Sequence, residues 1–385
     1  MLQAIGGRTI QHSLDVFFCT ILDIASFARI ATTSAICQAR QKISASVFVA
    51  LNVLWQELIE QKLPCPRWRG FRLMAADGSC INLPASPEMH KVYGDGPNND
   101  AKVLMARAMA LYSIAQSQIT QIAIHAYKAA ERDILIPMLQ SLKADDLLIL
   151  DRGFPALWLF GVLHNLQRHF CMRADSLAAS YIKAFIRSNK NHDIITLKLH
   201  GATRKRINAL GMDAPLEISL RLVRVILPSG KIEVLVTSLL DPINYPTCEF
   251  KALYHQRWNI EEAFKVLKQR LHLEGFLGLS PLAIEQEIHA KILMANMAQT
   301  LCLEAQGQLP DRKQHAYHTN CAHAVSSLPK LIACWIKYIP SAFAQILSEL
   351  LHVLSKTLLK IRPNRNYPRK HRTGGAARPN RTYRT

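Results

Sequence analysis

Apolar residues recur at helical spacing through most of residues 1–64, where glycine is scarce. The clearest run is "AICQARQKISASVFVALNVLWQELI", with Ser34 before it as the expected cap. "LPCPRWRG" (63–70), with two prolines and a glycine, closes that region. The period then changes. "FRLMAADGSCINLP" (71–84), "VLMARAMALYSI" (103–114) and "ITQIAIHAY" (119–127) are strand-length apolar runs, and the loop "SPEMHKVYGDGPNND" separates the first two. "ERDILIPMLQSL" (131–142) predicts a helix. "DLLILDRGF" (146–154) is short, continuously apolar and ended by an acid, the pattern of a parallel strand buried on both faces. A helix (155–166) and a strand (168–173) follow. A meander of three strands and then alternating helix and strand predict an α/β domain with a mixed sheet.

The alternation breaks over residues 174–246, where "IITLKLH", "LEISLRLVRVIL" and, after "PSGK", "IEVLVTSLL" are strand candidates. This stretch reads as a β-rich insertion, basic in its first half. A helix is expected over 247–272, with further helical segments at 283–306 and 327–360. The resulting partition has a helical N-terminal region (1–70) and an α/β core in two parts (71–173 and 247–306). The insertion (174–246) divides the core, and a C-terminal helical region (307–361) follows it. From Arg362 to Thr385 the chain carries eight Arg or Lys and no acid, the composition of a tail that only an anionic partner orders.

Charge sharpens the picture. Against 28 Asp and Glu stand 47 Lys and Arg, a formal net charge of +19, which favours a polyanionic partner. A membrane is the weaker reading: "SLDVFFCTILDIASFARIA" is interrupted by Asp15, Asp23 and Arg29 and falls short of the ~18 unbroken apolar residues of a spanning helix. No secretory signal is evident. Nine cysteines without a C-x-x-C pair suit reduced thiols in a cytosol. No phosphate-binding glycine loop is present, so no nucleotide cofactor is expected.

Candidate chemistry enters with "YHQRWNIEEAFKVLK" (254–268). At about 100° per residue, Tyr254, Arg257, Glu261 and Lys268 fall within an arc of roughly 60°. Leu253, Ile260, Phe264, Leu267 and Leu271 form the neighbouring arc. A solvated face sets its charges opposite the core, whereas this stripe borders it. The plain alternative is a surface ladder, since Arg257 and Glu261 are an i, i+4 pair. Asp77 and Asp151 each follow an apolar strand. If those strands are neighbours and the helix packs across them, three carboxylates converge. Gathered acids are costly to bury, and divalent ions such as Mg²⁺ or Mn²⁺ cancel that cost. Two such ions suit phosphodiester chemistry. Asp145 and Asp146 precede the strand and read as its solvated entrance, and Glu262 points about 100° off the stripe. Trp258 reads as a half-buried packing residue rather than a base-stacking one. His315, His318, Cys321 and His323 match none of the usual zinc spacings.

The spacing Y-x₂-R-x₃-E-x₆-K resembles the signature of the DDE transposases of insertion-sequence family four. "AADGSCINLP" around Asp77 and "LLILDRGF" around Asp151 resemble that family's first and second aspartate motifs, and "SAICQARQKISASVF" is similar to the helix before its catalytic core. The resemblance covers roughly residues 70–305. It implies a ribonuclease H-like fold with Asp77, Asp151 and Glu261 as catalytic metal ligands. Tyr254, Arg257 and Lys268 become contacts to transposon-end DNA. The implied reaction is metal-dependent cutting at transposon ends and joining to target DNA. Its partner is double-stranded DNA, held by a dimer because two ends must be brought together, and its place is the bacterial cytoplasm, at the nucleoid. Two other readings stand beside it: a ribonuclease H-like nuclease without strand transfer, and an inactive DNA-binding remnant. The insertion and the separate helical N-terminus argue against the first, and the presence of all three acids against the second.

Overall fold

The apolar runs between residues 71 and 174 become strands where the sequence places them. The computed structural model describes residues 10–24, 28–63, 65–95, 104–175, 179–311, 316–338 and 340–361. Strands β1 (Arg72–Leu83), β2 (Leu104–Ser113), β3 (Gln118–Ala126), β4 (Asp146–Leu150), β5 (His169–Ala174), β6 (His192–Lys198), β7 (Glu217–Ile226) and β8 (Ile232–Thr237) form one sheet, ordered β3-β2-β1-β4-β5-β8-β7-β6. β1, β4 and β5 run parallel, and β8 pairs antiparallel with both β5 and β7. This is the mixed α/β architecture that the apolar pattern predicts.

Two details of the middle segment differ from expectation. The stretch read as an insertion carries its strands into the same sheet, with β8 completing the edge that β5 leaves open. It also contains two helices, α7 (Ser180–Arg187) and α8 (Gly201–Ala209). Both are short, and the charges of "GATRKRINA" hide the single buried residue, Ile207, that fixes α8.

By compactness the chain divides into two units. One comprises Pro64–Ser79 and Ala108–Ala263; the other comprises Met1–Leu63, Cys80–Arg107 and Phe264–Thr385. In the first, one sheet face carries the main core. Met74, Ala76, Leu148, Leu150, Phe170 and Met172 pack there with residues of α5 (Glu131–Met138) and α6 (Leu157–Asn165). At the start of β4, Asp146 is not solvated as expected. It is buried, and Arg72 grips it with Nε to Oδ1 at 2.6 Å and Nη2 to Oδ2 at 2.8 Å. A planar guanidinium satisfies both carboxylate oxygens at once, which makes that burial tolerable.

The other unit is helical: α1 (Ile10–Leu22), α2 (Thr33–Arg40), α3 (Ser46–Lys62), α4 (Pro87–Tyr93), the long α11 (Pro281–Gly307), and helices Cys321–Lys337 and Pro340–Lys356. The expected helix over 35–59 is thus two. Thr32, not Ser34, caps α2, its Oγ1 accepting from Ala35 N–H, and Ser44 turns the chain by accepting from Ser46 N–H. α11 is the axis of this unit, packed by α3 and both later helices. It buries charge as well as apolar surface. Glu287 accepts from Arg40 of α2 and from the N–H groups of Leu277 and Gly278. Lys291 donates to the carbonyls of His272 and Gly275 at 2.9 and 2.7 Å. The loop 272–278 is therefore pinned from α11 by two opposite charges. The basic tail from Arg362 onward and His315 lie outside the described residues.

Candidate active site

Sheet register brings the two aspartates together. β1 and β4 pair from Arg72↔Asp146 to Ala75↔Ile149, and carrying that register two residues onward sets Asp77 beside Asp151. Side chains alternate along a strand, so these acids leave the face opposite Met74, Ala76, Leu148 and Leu150. β5 extends the row: Leu150 pairs with Met172, which places Arg173 next to Asp151. Glycines follow both acids closely. Gly78 N–H donates to Asp77 Oδ1 at 2.9 Å, and Gly153 N–H donates to Asp151 Oδ1 at 2.8 Å. A Cβ on Gly153 would stand 3.0 Å from Asp151 Oδ1, so glycine is what leaves that carboxylate room. Arg132 holds the same turn through its Nε to Gly153 O at 2.9 Å.

The expected single helix over 247–272 is divided. A 3₁₀ turn (Thr247–Glu249) leads into α9 (Phe250–His255), and α10 spans Trp258–Gln269. At the junction Gln256, Arg257, Asn259 and Ile260 each bond a carbonyl three residues back, tightening the chain for one turn. Tyr254 therefore belongs to α9, Arg257 to the turn, and Glu261 and Lys268 to α10. The tightening preserves the stripe, because a three-residue turn carries Tyr254 directly to Arg257.

Arg257 is the hub. Only 4 % exposed, it donates from Nη2 to Glu261 Oε1 at 2.7 Å and reaches Asp77 Oδ2 with Nη1 at 3.7 Å. Its guanidinium reaches the rings of Tyr254 and Trp258, at 5.9 and 5.8 Å from their centres. Burial opposes its charge, but the Glu261 hydrogen bond, Tyr254 and Asp77 outweigh burial and raise its pKa. Asp77 moves strongly: burial pushes its carboxyl up to about 6, Arg257 pulls it down, and Asp151 and Glu261 push it up again. Those mutual effects place the three acids and Arg257 in one electrostatic neighbourhood. Tyr254 is nearly buried, its hydroxyl without a hydrogen-bond partner, and burial raises its pKa to about 12 against the pull of Arg257 and Arg173.

The structure does not gather every expected residue. Lys268 is engaged elsewhere, donating to Cys80 O at 2.5 Å and standing 3.8 Å from Glu274. Trp258 is 45 % exposed, half-buried as expected, with its ring 5.8 Å from the Arg257 guanidinium. Among the described residues no three His, Cys, Asp or Glu side chains stand at metal-ligating spacing, and a guanidinium occupies the space between Asp77 and Glu261. The donor set nonetheless fits a hard cation: three carboxylates, a raised aspartate pKa, and a cost of burial that one arginine offsets only in part.

Two neighbours were not read from the sequence. Arg173 pairs with Glu233 at 2.9 Å and faces the Tyr254 ring at 6.0 Å. Its signal was the one that singled out Asp151, a charge ending an apolar strand. Glu131 opens α5 and presses on Gly78, where a Cβ would lie 2.5 Å from its Oε1. Nothing in its spacing separates it from an ordinary first-turn acid.

The Transposase DDE domain family matches residues 68–297, more than half of the chain. The chain belongs to that family. Over 344 residues this DDE transposase is 22 % identical to Transposase InsG for insertion sequence element IS4 of Escherichia coli (strain K12), covering 87 % of this chain and 75 % of the relative. Among solved structures, it is similar to the piggyBac transposase in a cryo-EM synaptic complex with hairpin DNA. That match has 10 % identity and a TM-score of 0.44, and covers 83 % of this chain but 65 % of the other, less than two thirds of its length. DDE transposases catalyse DNA cleavage and strand transfer and generally depend on divalent metal.

Proposed function

We propose that this DDE transposase moves an insertion sequence by cutting double-stranded DNA at the element's ends and joining them to target DNA, with Asp77, Asp151 and Glu261 as its metal-holding carboxylates. The observation that carries the reading is the register-matched pair Asp77 and Asp151, to which Arg257 ties Glu261. Mg²⁺ or Mn²⁺ held there would polarise the scissile phosphate and lower the pKa of an attacking water. The chain's own residues supply the rest. Arg257 keeps the carboxylates from repelling one another and sets Glu261 at the mouth of the sheet. Arg257 and Tyr254 would bind the transposon-end backbone near the cut. Lys268, 31 % exposed along its side chain, would exchange Cys80 O for a phosphate oxygen. The net charge of +19 supplies the long-range attraction to DNA, and the helical N-terminal region the remaining contacts. Two ends require a dimer. The cytoplasm, at the nucleoid, is where such DNA lies.

The test replaces Asp77 and Asp151 by Asn and Glu261 by Gln, and scores nicking and joined products on end-bearing DNA with Mg²⁺. Each variant should lose cleavage while still binding end DNA, and a double variant should add little, since ligands of one site act as a unit. Near-normal cleavage by Glu261→Gln would overturn the assignment. Nicked products without joined ones from the unaltered chain would favour a nuclease.

A further inference from the structure

Gly153 creates a conflict at the second aspartate. Asp151 Oδ1 accepts from Gly153 N–H at 2.8 Å, and a Cβ on residue 153 would stand 3.0 Å from the same oxygen, so the turn favours glycine. Glycine, however, is the residue whose backbone has most freedom to lose. The turn's own closure, Phe154 N–H to Asp151 O, is long at 3.3 Å. A carboxylate hung from such a turn swings with it, whereas a metal ligand has to be held to about 0.5 Å. Something outside the turn must stiffen it.

The start of α5 does so. Three consecutive residues there reach three different places. Glu131 lies against Gly78, the glycine whose N–H holds Asp77, and Asp133 pairs with Arg206 of α8. Arg132, between them, donates from Nε to Gly153 O at 2.9 Å. Gly153 is thereby fixed on both sides, its N–H by the aspartate and its carbonyl by the arginine. Among the described residues this is the only side-chain bond Arg132 makes, and no carboxylate pairs with it, although an acid stands on either side of it in the chain. We propose that Arg132 is a positioning residue: through Gly153 it holds the Asp151 carboxylate where a divalent cation can use it. The proposal rests on the reading of Asp151 as a metal-holding carboxylate, and it gives α5 a part in the site beyond packing on the sheet.

Charge and position predict opposite signs. A guanidinium near the site repels a cation, so removing its charge alone should tighten metal binding. Removing its hydrogen bond should loosen it, since partners that orient a ligand are worth roughly 10–100-fold in metal affinity. Arg132→Gln separates the two, because the glutamine Nε2 takes the place of the arginine Nε: the donor stays and the charge goes. Arg132→Ala removes both. Since Arg132 is partly exposed, both variants should fold as the unaltered chain does.

The experiment titrates Mn²⁺ into the full chain without DNA and follows free Mn²⁺ by electron paramagnetic resonance, with Asp151→Asn as the reference for a lost ligand. Arg132→Ala should raise the dissociation constant about tenfold, and Arg132→Gln should leave it unchanged or lower it. In nicking of end-bearing DNA, Arg132→Ala should need correspondingly more Mn²⁺ for half-maximal rate and approach the unaltered rate at saturation. Its affinity for end DNA without metal should not change. A Mn²⁺ affinity that Arg132→Ala leaves as it was, or that Arg132→Gln weakens as much as Arg132→Ala, would overturn the proposal. So would weaker binding of end DNA by both variants at constant Mn²⁺ affinity, which would make Arg132 a phosphate contact. Mn²⁺ binding untouched by Asp151→Asn would end the reading of the site itself, and the proposal with it.

Discussion

At the scale of residues, the site is organised by one arginine. Arg257 is buried, and its charge is matched by Glu261 directly and by Asp77 at longer range. Removing it leaves two carboxylates facing one another, so Arg257→Ala should cost about 2–3 kcal/mol of stability in urea unfolding. Arg257→Lys should recover only part, since an ammonium cannot present two donors in a plane. Lys268 differs. Half-buried and bonded to a backbone carbonyl, it should cost about 1 kcal/mol when changed to Ala, more than an exposed ion pair would. Gly153→Ala tests the room left for Asp151: a Cβ 3.0 Å from Oδ1 forces the carboxylate aside. We expect a loss of nicking of about tenfold with less than about 1 kcal/mol of destabilisation. These acids were legible because each ends an apolar run or borders an apolar stripe. Arg173 carries the same signal, but a cation at a strand end suggests no metal. Glu131 carried none, because its nearness to Gly78 depends on how α5 crosses the sheet.

At the scale of elements, periodicity located strands well and helix breaks poorly. β1, β4 and β5 fall within a residue or two of their apolar runs because a buried parallel strand has no polar position to blur its ends. The interruptions between α2 and α3, and between α9 and α10, left no such mark. The first rests on the Ser44 side-chain bond and on Lys42 and Ile43 bonding carbonyls three residues back, the second on a run of tightened backbone bonds, and neither alters the hydrophobic period. α7 and α8 were hidden by the strand-like runs around them. The buried charges of α11 were likewise illegible, since their partners are backbone groups of the loop 272–278 and the distant Arg40, none of which marks the sequence. They have a consequence for pH. Burial lowers the Lys291 ammonium to about 8, with Glu287, itself paired to Arg40, opposing that shift. Because the folded value lies below the ordinary 10.5, the penalty is complete below about pH 8 and fades as pH rises toward 10.5. Stability should therefore gain on the order of 2–3 kcal/mol from this group across that window. Lys291→Met should remove the gain, as read from urea midpoints at pH 7.5 to 10.

At the scale of the whole molecule, charge dominates what the sequence says about binding. The segment from Arg362 to Thr385 contributes eight cations without an acid. A chain ending at Ile361 should bind end DNA with a flatter salt dependence, its slope of log K against log salt smaller by roughly 3–4 if half the tail engages phosphates. Random DNA should lose affinity in parallel, because phosphate contacts carry no sequence information. Equal slopes for the two chains would remove the tail from the DNA interface. The sheet imposes a different constraint, on how such a chain can change over time. Asp77, Asp151 and Arg173 share one row across three parallel strands, and each strand's phase decides which face its charge leaves. Substitutions within those strands can accumulate one at a time, but a single inserted or deleted residue ahead of any of them inverts that strand and sends its charge into the apolar core. Length variation should therefore be tolerated in the turns and at the sheet's far edge, and forbidden within these three strands.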